Sequence, residues 1–406
     1  MLNSKRVAII HPWFPHYRAA FFSELLQLAG EQNMQIDVFY GQTPPEWAAR
    51  SDATSSTYAE ELPTRFTRLG GKIIINKSLR SLKSKGNYDL VIVEHAVRNL
   101  ETYRLLCNRH QPVAFWGHGR TYSSESSGLQ EKFKRWLSKR GTWFFAYTTG
   151  GAEAVIAGGF PRDRVTAVQN AVASEKWAAE NTRGGVWPPG RRVALYIGGL
   201  DGPKRIDFLL AAAELAHSND SRFELIVAGD GAGREQVEDA AHRYSWLTYV
   251  GRVVGQEKAS LLSSADVLAI PGSVGLVAVD SFVGGVPIVT TDWPLHGPEF
   301  EYLIDGVNAV VAANSLEAYA ETLNEVLSDR AFLQRLRAGC AVAAGTYTVE
   351  NMASRFMRGL VAALEIPSVS GEPFRWNRRR STKPDVQETT SRGRNGATLR
   401  DRLNEA

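Results

Sequence analysis

The sequence predicts an α/β protein of two Rossmann-like domains facing each other across a cleft, followed by a basic, disordered C-terminal tail. Short β-branched or aromatic runs alternate with helical patterns along most of the chain, as parallel sheets with crossover helices require. At 406 residues the chain exceeds one ordinary core, and two domains of about 180 residues are the natural division. A break rich in Gly, Pro and charge, residues 178–190, separates two such alternating series.

In order, the first series places strands at residues 6–10, 35–40, 89–94, 113–116, 143–147 and 165–169. The second restarts at 193–197 and continues at 224–228, 247–250, 266–270, 288–291 and 309–312. The expected organisation is therefore an N-terminal domain over 1–175 and a second domain over 190–348. An amphipathic helix over 349–365 follows, expected to pack back toward the first domain, and then a tail over 366–406.

Charge narrows the partners. The net +4 resides wholly in the last forty residues, which carry nine basic and five acidic side chains and few apolar ones. Such a segment cannot bury enough surface to fold. It reads as a solvated tail or as a basic arm for anionic lipid or nucleic acid. The balanced body argues against nucleic acid as a partner. Cys107 and Cys340 fall in different halves, which fits a reducing compartment and excludes a disulfide framework. The apolar run before His11 is too short for a signal peptide, and no stretch reaches the ~18 apolar residues of a membrane span. A cytoplasmic location follows. Two basic patches, GGKIIINKSLRSLKSKG and LQEKFKRWLSKRGTW, suit an anionic membrane at its inner face. For the second, the spacing of Phe133, Trp136 and Leu137 equally suits a core-facing helix with a solvated basic face.

The segment of residues 265–308 carries the most chemistry. A buried run ends at Pro271 and Gly272, Ser273 follows, and Gly275 opens a helix whose first amides, at Leu276 and Val277, lack carbonyl partners. Such amides bind phosphate oxygens at the carboxyl edge of an open sheet. Asp280 stands one helical turn further on, placed to meet a polar ligand held there. Earlier, a turn at Gly198 and Gly199 leads into a helix headed by Lys204 and Arg205. Basic residues usually avoid a helix N-terminus, so the pair is either an anion site or a basic surface spot. No Gly-Lys-Ser/Thr sequence occurs, which excludes a nucleoside-triphosphate P-loop. Gly229 begins a Gly-Asp-Gly turn spaced wrongly for a dinucleotide fingerprint. Gly251 and Arg252 end another strand, so three sheet edges converge in this domain.

In the first domain His11, His95 and His118 follow strands one, three and four. A histidine at a strand end serves structure as readily as chemistry. His118 is distinguished by flanking glycines, Gly117 and Gly119, which permit close approach of a ligand. His-Glu-x-x-His, Asp-x-Asp, Cys-x-x-Cys and Gly-x-Ser-x-Gly are all absent, so neither a dedicated metal site nor a serine-hydrolase elbow is expected.

Taken in order over residues 193–364, the motifs of the second half resemble those of the family 4 retaining glycosyltransferases, sugar-nucleotide enzymes of the GT-B fold. They are the Gly198-Gly199-Leu200 turn with Lys204, Gly229-Asp230-Gly231, Val250-Gly251-Arg252, Ala265-Asp266-Val267, Gly275 to Asp280, Gly284 to Pro287 and Gly306-Val307-Asn308. The first half is similar more loosely, through Trp116 to Gly119 and through Gln169-Asn170-Ala171-Val172 at the interdomain crossing. The resemblance implies a UDP- or GDP-type sugar as co-substrate, no tightly bound cofactor, no metal, and a glycan or lipid-linked acceptor in cell-surface polysaccharide or glycolipid synthesis. Lys204, with Arg205, would pair with the diphosphate, and the amides after Gly275 would bind its other oxygens. Asp280 would hold the ribose, and His118 would touch the donor sugar across the cleft.

Three positions depart from the family pattern. Gly199 stands where the family has arginine, and Gly272 with Asp280 stands where it has two glutamates. HPWFPHYRAAFF replaces its Gly-rich loop after the first strand. Ser273, His296 and Glu299 are the side chains able to rebuild the sugar contact. A sugar-nucleotide epimerase, or a sugar-nucleotide-binding protein of this fold without turnover, are the alternative readings.

Overall fold

The run KRVAIIH buries its last five residues, Val7 to His11, on both faces, as a central strand of a parallel sheet must. In the computed structural model, which describes residues 4–45, 53–108, 111–121, 128–173 and 190–366, this strand is β1 (Lys5–His11) of a seven-stranded sheet. The tail beyond residue 366 lies outside the described residues.

The first half continues through α1 (Ala19–Glu31), β2 (Met34–Tyr40), β3 (Ala59–Glu61), β4 (Thr64–Leu69), β5 (Lys72–Lys77), α2 (Arg80–Ser84), β6 (Leu90–Glu94) and α3 (Leu100–Cys107). It ends with β7 (Val113–Gly117), α4 (Gly128–Ser138), β8 (Trp143–Ala146), α5 (Thr149–Ala157) and β9 (Val165–Ala167). The strand order is β3-β2-β1-β6-β7-β8-β9, parallel throughout, beside an antiparallel β4–β5 hairpin.

The second half comprises β10 (Arg192–Ile197), α6 (Ile206–Asn219), β11 (Phe223–Ala228), α7 (Arg234–Arg243), β12 (Leu247–Gly251), α8 (Gly255–Ser264) and β13 (Val267–Ala269). Then come α9 (Val277–Gly284), β14 (Ile288–Thr291), β15 (Ala309–Ala312), α10 (Leu316–Ser328), α11 (Arg330–Thr346) and α12 (Val349–Glu365). Its sheet, β12-β11-β10-β13-β14-β15, is again parallel. In both sheets the order reverses beside the first strand, at β1/β6 and at β10/β13. These reversals open the crevices in which doubly wound sheets bind ligands.

Every strand expected from the alternation is present, with ends shifted by a residue or two. The strand β3 and the hairpin were not anticipated. β3 is the three-residue edge AEE, which has no apolar signal. β5 falls in the first basic patch, whose lysines suggested a membrane-facing surface. The structure corrects this for Lys77: its Nζ lies 2.8 Å from Glu101, with both side chains 2 % exposed. In the second patch, Leu137 of α4 is fully buried while Phe133 is exposed and stacks on Trp136. Among the described residues no helix is long and apolar enough to cross a membrane.

The core beneath the first sheet is finished by the last described helix. Thr348 caps α12, its hydroxyl accepting the Asn351 amide. The helix then lays Met352, Phe356 and Leu360, all fully buried, against α1 and the sheet. Phe356 stacks on Phe145 at 4.3 Å and meets Trp116 and Phe21 edge-on. Phe356→Ala is therefore expected to cost about 3–5 kcal/mol in urea unfolding followed by tryptophan fluorescence. A loss below 1 kcal/mol would mean that the helix only leans on the sheet.

Candidate active site between the two sheets

On the second sheet, the turns after β10 and β13 form one surface. The turns that leave β10 and β11 approach so closely that a Cβ on Gly229 would lie 1.9 Å from the Gly198 carbonyl oxygen. Only glycine fits there. The Gly198 amide donates to Ala228 and the Gly229 amide to Gly251 at 2.7 Å, which joins the edges of β10, β11 and β12. Arg252, just beyond, is exposed. The single turn 202–204 follows, and the Ser273 amide donates to the Pro203 carbonyl at 2.9 Å. In return Lys204 Nζ donates to the Ser273 carbonyl at 2.5 Å.

Gly272 lies buried inside that contact. A Cβ there would stand 2.5 Å from the Pro203 carbonyl oxygen and 2.7 Å from the Lys204 carbonyl. The missing acid at 272 thus has a steric cause, since any side chain would lift the Lys204 turn. Gly272 serves the site as backbone packing. Past it, the amides of Gly275, Leu276 and Val277 make no hydrogen bond among the described residues. They sit at the positive end of α9, beside the Lys204 anchor. Asp280 follows, 8 % exposed, with Lys258 of α8 2.6 Å away. Lys258 was not singled out from the sequence; nothing in its spacing marks it.

Arg205 is placed differently from Lys204. Its backbone is left-handed, with φ 56°, and its guanidinium is sandwiched between Phe208 at 3.9 Å and Trp293 at 4.4 Å. Nη1 donates to Asn314 at 2.6 Å. Of the two cations expected at the diphosphate, Lys204 is bonded to Ser273, two residues before Gly275, while Arg205 is tied to Asn314 and Trp293 in the loops after β15 and β14. His296 is committed on both nitrogens: Nδ1 accepts the Val274 amide and Nε2 donates to the Thr291 carbonyl. Burial, then Lys204 and Arg205, lower its pKa. It fixes the loop before Gly275.

Across the cleft, His11 is 6 % exposed and packs edge-on to Trp116 and Phe22. Burial, and next the Arg18 charge, push its pKa to about 3. His95 lies between Phe115 and Phe144, and its Nε2 contacts Ser138 Oγ at 2.9 Å. Burial brings it to about 4. Both are held by the protein. His118 differs: the residue is exposed, its ring stands 4.7 Å from that of Tyr147, and it lines a small cavity with Glu94, His95, Arg120 and Lys134. Desolvation, then the charges of Lys134 and Arg18, lower its pKa to about 4. It is a neutral imidazole at pH 7.

A short turn, residues 298–302, joins the two walls. Glu299 is 3 % exposed, and Asn170 Nδ2 donates to its Oε1 at 2.5 Å. Its Oε2 would lie 3.8 Å from a Cβ on Gly275 and 3.4 Å from one on Gly297. Burial raises its pKa against Asn170, its own amide, Arg18 and Lys204. Glu301 crosses to α5, where its carboxylate accepts the Gly150 amide at 2.7 Å and the Thr148 hydroxyl at 3.0 Å. Tyr302 donates to the Asn170 carbonyl at 3.1 Å. Sequence reading marked Glu299 and missed Glu301, because an acid that caps a helix of the other half leaves no local pattern.

Two doubly wound parallel sheets, switch point toward switch point, define the class: a GT-B-type protein. The same fold is found in Anabaena HepE solved with UDP and glucose (TM-score 0.58, 14% identity, 88% of this chain and 100% of that one). It is found again in the pneumococcal O-GlcNAc transferase GtfA solved with UDP and GlcNAc (0.63, 10%, 89% and 100%). A glycosyltransferase from Rickettsia africae shares it too (0.64, 11%, 90% and 100%). Within this fold, residues 191–329 match the family model Glycosyl transferases group 1. Phosphatidyl-myo-inositol mannosyltransferases are similar over part of the chain. The Mycobacterium leprae protein is 27% identical over 173 residues, 41% of this chain and 46% of its own length. The Mycolicibacterium smegmatis protein is 29% identical over 159 residues, 38% and 39% respectively. The match thus spans less than half the length of these curated relatives.

Two outcomes follow from this geometry. Gly272→Ala should destabilise by about 1–3 kcal/mol in urea unfolding, because the 203–204 turn must move; an unchanged midpoint would show that the turn lifts freely. His11 titrates near 6.5 when unfolded and near 3 when folded. Its neutral form is therefore fully tolerated above pH 6.5, and stability is lost as pH falls from there toward 3, by about 1.4 kcal/mol per pH unit. His11→Phe should flatten the loss between pH 6.5 and 5 by roughly 2 kcal/mol. An unaltered pH slope would refute the assignment.

Proposed function

We propose that this protein is a retaining, metal-independent glycosyltransferase that moves a hexose from a UDP- or GDP-type sugar to a glycan or lipid-linked acceptor. The reading rests on one convergence above all. Lys204 and three unbonded amides of the α9 start meet at the switch point of the second sheet, opposite His118 on the first. A diphosphate fits that surface: the amides take its oxygens and Lys204 offsets the charge that grows on the leaving group. Asp280, oriented by Lys258, holds the ribose. Glu299, whose Oε2 lies close to Gly275, supplies the sugar contact that Gly272 leaves unmade, and neutral His118 approaches the sugar from the other wall.

The curated relatives, phosphatidyl-myo-inositol mannosyltransferases, favour a lipid-linked acceptor and glycolipid synthesis. The cytoplasmic, inner-membrane-face placement is part of the same proposal. Binding without turnover is the second reading, carried by Gly199 and Gly272, where the family pattern has charged side chains.

A thermal-shift panel of UDP, GDP and ADP with their sugars, run on the wild type and Lys204→Ala, tests the proposal. Donor at ~100 times its dissociation constant should add about 2.7 kcal/mol of stability, and Lys204→Ala should lose most of it. A wild type indifferent to every nucleotide would sink the transferase reading. Binding with neither transfer nor slow donor hydrolysis would favour the binding protein, and conversion of the donor sugar to its epimer would select the epimerase.

A further inference from the structure

Arg18 is a buried cation that the fold has not paired. It is 2 % exposed, closes the turn 16–18, and stands at the N-cap of α1, whose first turn contains no acid. Its guanidinium carbon lies 5.3–5.4 Å from the rings of Tyr17, Trp116 and Tyr147. Nη1 reaches the Met352 sulfur at 3.7 Å, and Nε is buried without a hydrogen-bond partner. No carboxylate lies within ion-pair distance among the described residues. The contrast is Lys77, equally buried, which the fold bonds to Glu101 at 2.8 Å.

An ion taken out of water without a counter-ion is a heavy cost. Aromatic faces offset part of it, but they leave the planar fork of donors unsatisfied. The arrangement is directed at the cleft. Arg18 follows β1 at the switch point of the first sheet, and α1 directs its positive end to the same place. Tyr147, one wall of the aromatic cage, also lines the cavity that holds His118. The charge of Arg18 acts on His118 on its own wall and on Glu299 on the other, where Lys204 acts as well. Glu299 forms no ion pair with it among the described residues; its Oε1 accepts from Asn170.

We propose that Arg18 is a phosphate-binding residue supplied by the first half, its guanidinium fork taking oxygens of a phosphate group in the cleft opposite Lys204. The inference builds on the donor reading above. A nucleoside diphosphate presents this chemistry, and so does the phosphate of a lipid-linked acceptor.

The test compares wild type, Arg18→Met and Arg18→Lys by melting temperature and by titration with UDP, GDP, glycerol 3-phosphate and phosphate-free uridine. Without ligand, Arg18→Met should melt no lower than wild type, because a stranded charge has been removed. Its dissociation constant for the nucleotide that wild type binds should rise tenfold or more, with Arg18→Lys between the two. A loss confined to glycerol 3-phosphate assigns the phosphate to the acceptor. An Arg18→Met protein that melts several degrees lower and keeps wild-type affinity for UDP, GDP and glycerol 3-phosphate overturns the proposal. If Arg18→Met does not fold, Arg18→Lys decides: a tenfold loss supports the assignment and wild-type affinity refutes it. Should wild type ignore both nucleotides, the donor reading fails while the glycerol 3-phosphate titration still judges Arg18; indifference to all three ligands overturns both.

Discussion

The backbone contact between the Pro203 carbonyl and the Ser273 amide is the constraint on which the second-half wall depends. It brings together two loops that start on adjacent strands and have no other reason to coincide. Lys204 doubles the contact by donating to Ser273, so the lysine is held just before the start of α9 as a consequence of the loops being joined. Gly272 is the condition for that approach, because a Cβ would strike the Pro203 and Lys204 carbonyls. The absence of an acid at 272 and the position of Lys204 are therefore a single structural fact. Loss of one polar contact is the cost of a closer fit between the turns.

The opposite wall is held in place by residues that belong to the second half. Glu299, Glu301 and Tyr302 reach Asn170, Thr148 and Gly150 from one short turn. An acid at the start of α5 suits the helix dipole, so the bridge is electrostatically sound as well as geometrically specific. Glu299 also lies near the start of α9, where a Cβ on Gly275 would stand 3.8 Å from its Oε2, so one buried side chain touches both walls.

Much of the architecture was legible from periodicity. The buried parallel strands are continuous apolar runs such as VAII and LIVA, and each sits where the run predicts. Edge strand β3 was not legible, since AEE is polar and is a strand only because β2 offers it a partner. At the site, the glycines and Lys204 could be read because turns and helix starts have local rules. The roles of Arg18, Lys258 and Glu301 could not, since each is defined by a partner, or the lack of one, far along the chain. Arg18 did carry a faint signal, the same basic residue at a helix start that drew attention to Lys204. The histidines show the limit in the other direction: His11, His95 and His296 looked like chemistry and are held as packing and loop anchors.

The return of α12 to the first sheet has a consequence for synthesis. A chain emerging from the ribosome makes β1, α1, β7 and β8 early, yet the surface of Phe21, Trp116 and Phe145 stays uncovered until Phe356 arrives. The first half must wait, sticky and incomplete, while the whole second half is translated. A nascent chain stalled before residue 349 should thus be a natural client for chaperones, and the order of assembly runs against the order of the sequence.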